Sequence, residues 1–318
     1  MKIDVAIQSY RKPESLIYTL LSLHRYSRDA IDTVWINDDR SGGDVLEHYR
    51  RLEESGVLAP WKIRIRENTF RMGWWVSFVR GYRPAYAGFL FRLKRMIWNW
   101  YQNGSIYVQK DDLRYQWALS STEKKYLLVI HDDIEFKKDI VSVYMSSIQA
   151  MPNRAIVGDL GQCWRCDFSA QGCNPQKLLS GYRPSLSWPS TKIKADSHAW
   201  ACRINEWSAL LKVEVANDIA EKEKIFFGNF DANGDTAAYW FSRVVQAGYS
   251  FDDPLPSVQS RSSYYKHWDG GITGHSAWVD QGKGKTPYDG IRLRQDLKSE
   301  FGYDMEHVGR SKGAPRHE

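Results

Sequence analysis

Tyr126-Leu127-Leu128-Val129-Ile130-His131-Asp132-Asp133 is the stretch on which the reading turns. A short run of strand formers ends in two adjacent carboxylates. Periodicity does not separate a buried strand from a buried helix here, but the shortness of the run and its β-branched residues point to a strand. In an α/β protein, a strand that stops at Asp-Asp delivers both carboxylates to the carboxyl edge of the sheet, where such sheets bind ligands. Two carboxylates at that edge are costly unless a cation or hydrogen-bond donors compensate them. The natural compensator is a hard divalent ion, Mg²⁺ or Mn²⁺, bridging onward to phosphate oxygens. Taken alone, the same pair also fits a solvated loop.

The amino-terminal segment reads the same way. Ile3-Asp4-Val5-Ala6-Ile7-Gln8-Ser9-Tyr10 is a strand that ends in polar residues. Pro13 and Glu14 then open a helix in which Leu16, Leu20, Leu21 and Leu23 are spaced to bury one face. Thr33-Val34-Trp35-Ile36-Asn37 is a second strand, ending at Asp38-Asp39-Arg40-Ser41-Gly42-Gly43. A right-handed crossover sets the two strands parallel and side by side, with polar residues at both carboxyl ends.

These segments resemble the family 2 glycosyltransferases, whose fold is GT-A. Val5 to Leu16 looks like the family's opening strand and turn, and Val34 to Ser41 like its second strand with an Asp-Asp-x-Ser turn. Gly73-Trp74-Trp75-Val76-Ser77-Phe78-Val79-Arg80-Gly81 is similar to its Gly-rich helix start, and Ile130-His131-Asp132-Asp133 to its Asp-x-Asp metal motif. The likeness covers roughly the first 135 residues, apart from an insertion near 82–125, and continues more weakly to about residue 275. It implies an α/β fold with a mixed, mostly parallel central sheet flanked by helices and an acceptor-side subdomain. Residues 1–135 would form the nucleotide-sugar-binding half, 136–281 the acceptor and catalytic half, and 282–318 a basic tail whose last dozen residues fray.

The resemblance also implies roles. Asp39 would accept the ring N–H of a uracil or similar base, with Tyr10 lining the base pocket and Gln8 touching the nucleotide. An Asx-type turn is the competing reading of Asp38 and Asp39. Asp133 would ligate Mn²⁺ or Mg²⁺, and Asp132 would address the ribose or a metal-bound water. His131 stands where many relatives carry Asp and reads as an end-of-strand residue. His267, in Tyr264-Tyr265-Lys266-His267-Trp268-Asp269-Gly270-Gly271, is the candidate third ligand; packing among aromatics is its alternative.

The family's base belongs to a Glu-Asp pair that opens a helix. Here Asp235 takes the Asp place and Gly234 the Glu place, ahead of a helix pattern ending at Gln246-Ala247-Gly248. With the Glu missing and the spacing longer, Asp235 also reads as a plain helix cap, with Asp231 as the working carboxylate. The implied reaction is an inverting, metal-dependent transfer from a nucleotide-diphosphate sugar, UDP-sugar favoured, to a hydroxyl of a glycan or lipid-linked acceptor. A non-catalytic nucleotide-sugar binder is one alternative. A nucleotidyltransferase-like enzyme is another, although Gln8-Ser9-Tyr10-Arg11-Lys12-Pro13 lacks that class's Gly-rich loop.

Composition bounds these readings. At 318 residues and 42% hydrophobic content the chain can bury a large core, and a disordered chain is excluded. No apolar run approaches the ~20 residues of a membrane span. No signal peptide is visible after Met1-Lys2, so a cytoplasmic protein is expected. The formal charge of +6 suits an anionic nucleotide, an acidic membrane surface or nucleic acid, and the motifs select the nucleotide.

Two features lie outside the motifs. Cys163, Cys166, Cys173 and Cys202 are the four cysteines, and their spacing in a reducing compartment fits a structural Zn²⁺ site stapling residues 163–202; four free thiols are the alternative. In residues 82–107, Tyr86, Phe89, Leu90, Leu93, Ile97, Trp100 and Tyr101 share one helix face, with Arg92, Lys94 and Arg95 elsewhere. The expectation is a face packed against the rest of the protein. A basic, Trp-rich amphipathic helix can also lie on an anionic membrane, giving peripheral contact at its inner face.

Overall fold

The computed structural model describes residues 1–72, 78–82, 89–160, 177, 203–229, 236–268 and 289–306. The chain runs through β1 (Ile3–Ser9), α1 (Pro13–Ser27), β2 (Ile31–Asp38), α2 (Gly43–Glu54) and β3 (Lys62–Glu67). It continues through α3 (Phe89–Asn103), α4 (Gln116–Ser121), β4 (Tyr126–His131), β5 (Ile134–Phe136) and α5 (Ile140–Gln149). The later elements are β6 (Arg154–Gly158), β7 (Ser208–Lys212), α6 (Val213–Glu223), α7 (Ala238–Gln246), β8 (Ser250–Asp252), α8 (Val258–Ser262), β9 (Tyr265–His267) and α9 (Gly290–Phe301).

Among the described residues, seven strands form one sheet in the order β3-β2-β1-β4-β7-β6-β8, and β5 pairs with β9 in a separate antiparallel ribbon. Only β7 runs against its neighbours β4 and β6; the remaining pairs are parallel. This is the mixed, mostly parallel α/β sheet flanked by helices that the sequence led us to expect. β1 to β4 come from the first 135 residues and β6 to β8 from the next segment, so both halves build a single sheet.

The two sheet faces divide the core. Ile3, Val5, Ile7, Leu128 and Ile130 pack with α1, α2, α5 and α9. Ala6, Leu127, Val129, Ala209 and Leu211 pack with α4, α6 and α7. Burial on both faces is why β1 and β4 read as near-continuous apolar runs rather than alternating ones. β1 leads to β2 on one side, while the chain leaving β3 crosses to β4 on the other. The carboxyl ends of β1 and β4 therefore flank a topological switch point, the crevice where open α/β sheets take ligands.

Three expectations are corrected. The tail beyond residue 282 contains helix α9, which buries Leu293 and Leu297 completely and packs on α1; Tyr18 Oη donates to Glu300 at 2.8 Å and stacks edge-on with Phe301. Leu293 and Leu297 are four residues apart, and that short stripe is diluted by the basic residues around it. The helix start implied at Gly73–Gly81 does not continue through 78–82, which form a turn closed by Tyr82 N–H to Val79 O, with Gly81 at φ +78°. Helix α3 also turns its apolar face outward: Leu90 is 71% and Trp100 63% exposed, whereas Arg95 and Asn99 are buried. Arg95 therefore does not sit with the exposed Arg92 and Lys94.

Since Leu297 lies wholly within the core, Leu297→Ala should lower stability by about 2–4 kcal/mol. Urea denaturation checks this, and a loss under ~0.5 kcal/mol, the surface range, would mean that α9 is not part of the folded core.

Candidate active site

The pleat sets which residues meet at the switch point. Gln8 lies between Asn37 of β2 and His131 of β4 in the sheet register, so the three share one face and one rung. Gln8 Oε1 and Asn37 Nδ2 are buried without a hydrogen-bond partner among the described residues. Buried polar atoms of this kind call for a ligand or water.

On the opposite face, the turn after β1 supplies a cation. Lys12 Nζ is 2.6 Å from Asp132 Oδ1 and 3.8 Å from Asp133 Oδ2, and all three side chains are at least nine-tenths buried. Burial pulls the Lys12 ammonium down, but Asp132 and Asp133 outweigh it, so the amine is held above its ordinary value. Ser9 Oγ donates to Asp132 Oδ2 at 2.6 Å, and Ser15 Oγ donates to the Asp132 carbonyl. Both carboxylate oxygens of Asp132 are thus engaged within the fold, one by Lys12 and one by Ser9. The sequence reading missed Lys12. Its signal was a lone basic residue just ahead of the helix-opening Pro13, which is indistinguishable locally from a solvated surface lysine.

Asp133 faces a different group. His267 Nε2 lies 3.2 Å from Asp133 Oδ1, and His131 Nδ1 lies 3.8 Å from it. The ribbon explains His267: β9 pairs Ile134 with His267, and Trp268 N–H donates to the Asp133 carbonyl at 3.0 Å. His131, read from sequence as a strand-end residue, is the last residue of β4 and joins the cluster as well. One ligand atom from each of His131, Asp133 and His267 lies within 4.8 Å of the others. Burial pushes the Asp133 carboxyl up, but Lys12, His267 and His131 outweigh it and hold it well below the usual carboxylate range.

Glu206 closes the outer side, with Oε1 3.7 Å from His131 Nε2 and Oε2 2.9 Å from Arg203. Burial raises the Glu206 carboxyl, and Arg203, His131 and Arg114 overcome it, so it too stays ionised. Arg114 reaches Glu206 at 3.9 Å and donates to Thr236 Oγ1 at 3.0 Å, the residue after Asp235. Its backbone is pinned by Gly228, where a Cβ would stand 1.9 Å from the Arg114 carbonyl oxygen. Glu206 and Arg114 carry no local motif and were invisible in the sequence.

The donor set can be tested against an ion. A carboxylate and two imidazoles from three positions suit a first-row divalent metal with open coordination sites. They argue against Mg²⁺, which takes oxygen ligands and keeps its waters.

Around the second strand, Asp38 makes the Asx-type turn: it accepts from Ser41 N–H at 2.6 Å and Ser41 Oγ at 2.7 Å, and burial raises its carboxyl to about 6. Asp39 Oδ1 accepts from Asn68 Nδ2 at 2.9 Å and from Met72 N–H at 2.6 Å. Tyr10 carries Arg71 at 4.0 Å and Arg11 at 5.2 Å from its ring centre. Asp231, Asp235, Cys163, Cys166, Cys173 and Cys202 lie outside the described residues. The cap position of α7 is Ala237, at φ +65°.

No family model and no curated protein matches the chain. Solved structures overlay on it loosely. The mannosyltransferase PcManGT from Pyrobaculum calidifontis, in complex with GDP-Man and Mn²⁺, is 14% identical at a TM-score of 0.46, covering 82% of this chain and 59% of that one. This chain thus spans about three-fifths of that protein's length. S. aureus TarS 1-349 is 12% identical at 0.41, covering 98% and 76%. Core-mannan synthase A from Aspergillus fumigatus, in its Mn/GDP form, is 11% identical at 0.41, covering 84% and 74%. The functional reading rests on the site itself.

The folded Asp133 carboxyl lies below its unfolded value of ~3.9, so its stabilising contribution is present above that pH and is lost as pH falls through the folded value. Lys12→Met should strand two buried carboxylates and cost about 3–5 kcal/mol at neutral pH. The deficit should shrink toward pH ~4.5 as the stranded acids, now with raised pKa values, take up protons. Denaturation of both proteins at each pH checks this, and an equal deficit at both would overturn the role of Lys12.

Proposed function

We propose that the protein is a metal-dependent inverting glycosyltransferase that moves a sugar from a nucleotide-diphosphate sugar to an acceptor hydroxyl of a glycan or lipid-linked molecule. One observation carries this reading: His131, Asp133 and His267 converge at the switch point of a mostly parallel sheet, beside a rung of unsatisfied polar groups. A partly buried ligand set at that edge fits a phosphorylated ligand approaching over the strand ends.

In this reading Asp133, His131 and His267 would hold Mn²⁺ or a similar ion, which would supply positive charge to offset that on the departing diphosphate. Lys12 pairs with Asp132 and Asp133, holds the Asp133 carboxyl low, and leaves Asp133 Oδ1 to the histidines. Gln8 and Asn37 offer their unsatisfied atoms to the nucleotide, and Tyr10 borders the base. Asp39 sets the base-side wall through Asn68 and Met72, and a carboxylate there suits an N–H-bearing base, uracil before guanine. Asp235, with Asp231 as its alternate, takes the proton from the acceptor hydroxyl. That oxygen forms a bond to the anomeric carbon while the bond to the diphosphate breaks, inverting the centre, and the nucleoside diphosphate leaves with the electron pair. A positioned base of this kind contributes about 10²–10⁴-fold.

Calorimetry of UDP and GDP sugars with and without Mn²⁺ tests the donor site. We expect Mn²⁺-dependent binding that Asp133→Ala abolishes and His267→Ala weakens, whereas binding that ignores both changes would sink the metal assignment. Sugar-nucleotide hydrolysis separates an enzyme from a binder. Asp235→Asn should keep donor affinity and lose turnover by about 10²-fold or more, because the proton moves only in the chemical step. Near-normal turnover would move the base to Asp231.

A further inference from the structure

Helix α3 is built inside out for a globular surface. Its buried side holds Arg95 and Asn99, one turn apart. Asn99 Nδ2 donates to the Ile106 carbonyl at 3.0 Å, and the Arg95 guanidinium sits 5.3 Å from the Phe70 ring centre. Those inward polar contacts fix the rotation of the helix. The opposite arc then presents Phe89 (71% exposed), Leu90 (71%), Leu93 (42%), Ile97 (58%), Trp100 (63%) and Tyr101 (75%) to solvent. A helix normally turns such a stripe to the core. Apolar residues scattered singly over a surface need no explanation, but six on one helical arc do.

The charge around this face is one-sided. Residues 78–110 contain six basic side chains (Arg80, Arg83, Arg92, Lys94, Arg95 and Lys110) and no Asp or Glu. The segment's formal charge therefore equals that of the whole chain, +6. Arg80, Arg92, Lys94 and Lys110 are exposed. No described helix is long and apolar enough to cross a membrane. The fifteen residues of α3 extend about 22 Å, suited to lying in a plane rather than crossing it.

We propose that the outward face of α3 seats the protein on an anionic lipid surface. Apolar and aromatic side chains on one arc, flanked by lysine and arginine, match the composition of helices that lie at a headgroup boundary, with Trp and Tyr at the polar-apolar interface. A second copy is the poorer occupant: a twofold pairing through this face would bring the exposed Arg92 and Lys94 of each copy together with no acidic residue on the helix to offset them. The inference is independent of sugar transfer and of the metal site.

Vesicle co-sedimentation of the full chain tests it, using phosphatidylcholine alone and phosphatidylcholine mixed with phosphatidylglycerol. We expect binding to the anionic vesicles and little to the neutral ones. Leu93→Asn, Ile97→Asn and Trp100→Asn combined should abolish it with an unchanged thermal midpoint, because these side chains contact solvent rather than core. As a second variant, Arg92→Gln with Lys94→Gln should weaken the partition by about fivefold per charge, and 0.5 M salt should mimic it. Failure to bind anionic vesicles overturns the proposal, as does binding that the triple variant retains. Equal binding to neutral vesicles overturns the anionic assignment. A concentration-dependent dimer in light scattering that the triple variant dissolves, without vesicle binding, assigns the face to a second copy instead.

Discussion

A buried ammonium between two buried carboxylates is the interaction on which the rest of this structure depends. Lys12 ties the turn after β1 to the end of β4, 120 positions later in the chain, at 2.6 Å from Asp132. Without a cation there, two ionised carboxylates at the close of a buried strand would face a desolvation cost of several kcal/mol each. With it, Asp132 can turn inward onto Ser9 and Lys12, which frees Asp133 to face the histidines. The division of labour between two adjacent aspartates follows from this one ion pair.

The second constraint is topological. β1 and β4 are adjacent because the chain passes β2 and β3 on one side and then crosses to the other. That crossing puts His131 beside Gln8, and β7 running antiparallel puts Trp207 against His131, whose N–H donates to the Trp207 carbonyl at 2.9 Å. Glu206 and Arg203 arrive on the same segment. The small β5–β9 ribbon then delivers His267 from the far end of the chain. No helix or strand holds more than one of His131, Asp133 and His267, so the geometry of that cluster reports the packing of the whole sheet rather than of any local motif.

Helix α3 shows the same dependence on tertiary packing. Its period was plain in the sequence, but an amphipathic pattern defines a face without saying what covers it. Arg95 and Asn99 decide the matter, because they find an aromatic ring and a carbonyl inside, and the apolar arc is left outside.

By itself the sequence determined the strand–helix–strand opening, the strand that ends at Asp132-Asp133, and His267 as a residue to watch, while the Asx turn at Asp38 stood only as a competing reading until the structure showed it. Each of these is written in local chemistry: β-branched runs, a Pro at a helix start, a carboxylate followed three residues later by serine. Only the tertiary structure decided that Lys12 compensates the two carboxylates, that His131 belongs with Asp133 and His267, that Glu206 and Arg114 back the cluster, and that α9 is core. Those facts depend on contacts between residues up to some 280 positions apart, such as Arg294 with Glu14 at 2.8 Å. Neither hydrophobic period nor turn chemistry encodes such contacts, because both act over a few residues, whereas a buried charge finds its partner only once the sheet has closed around it.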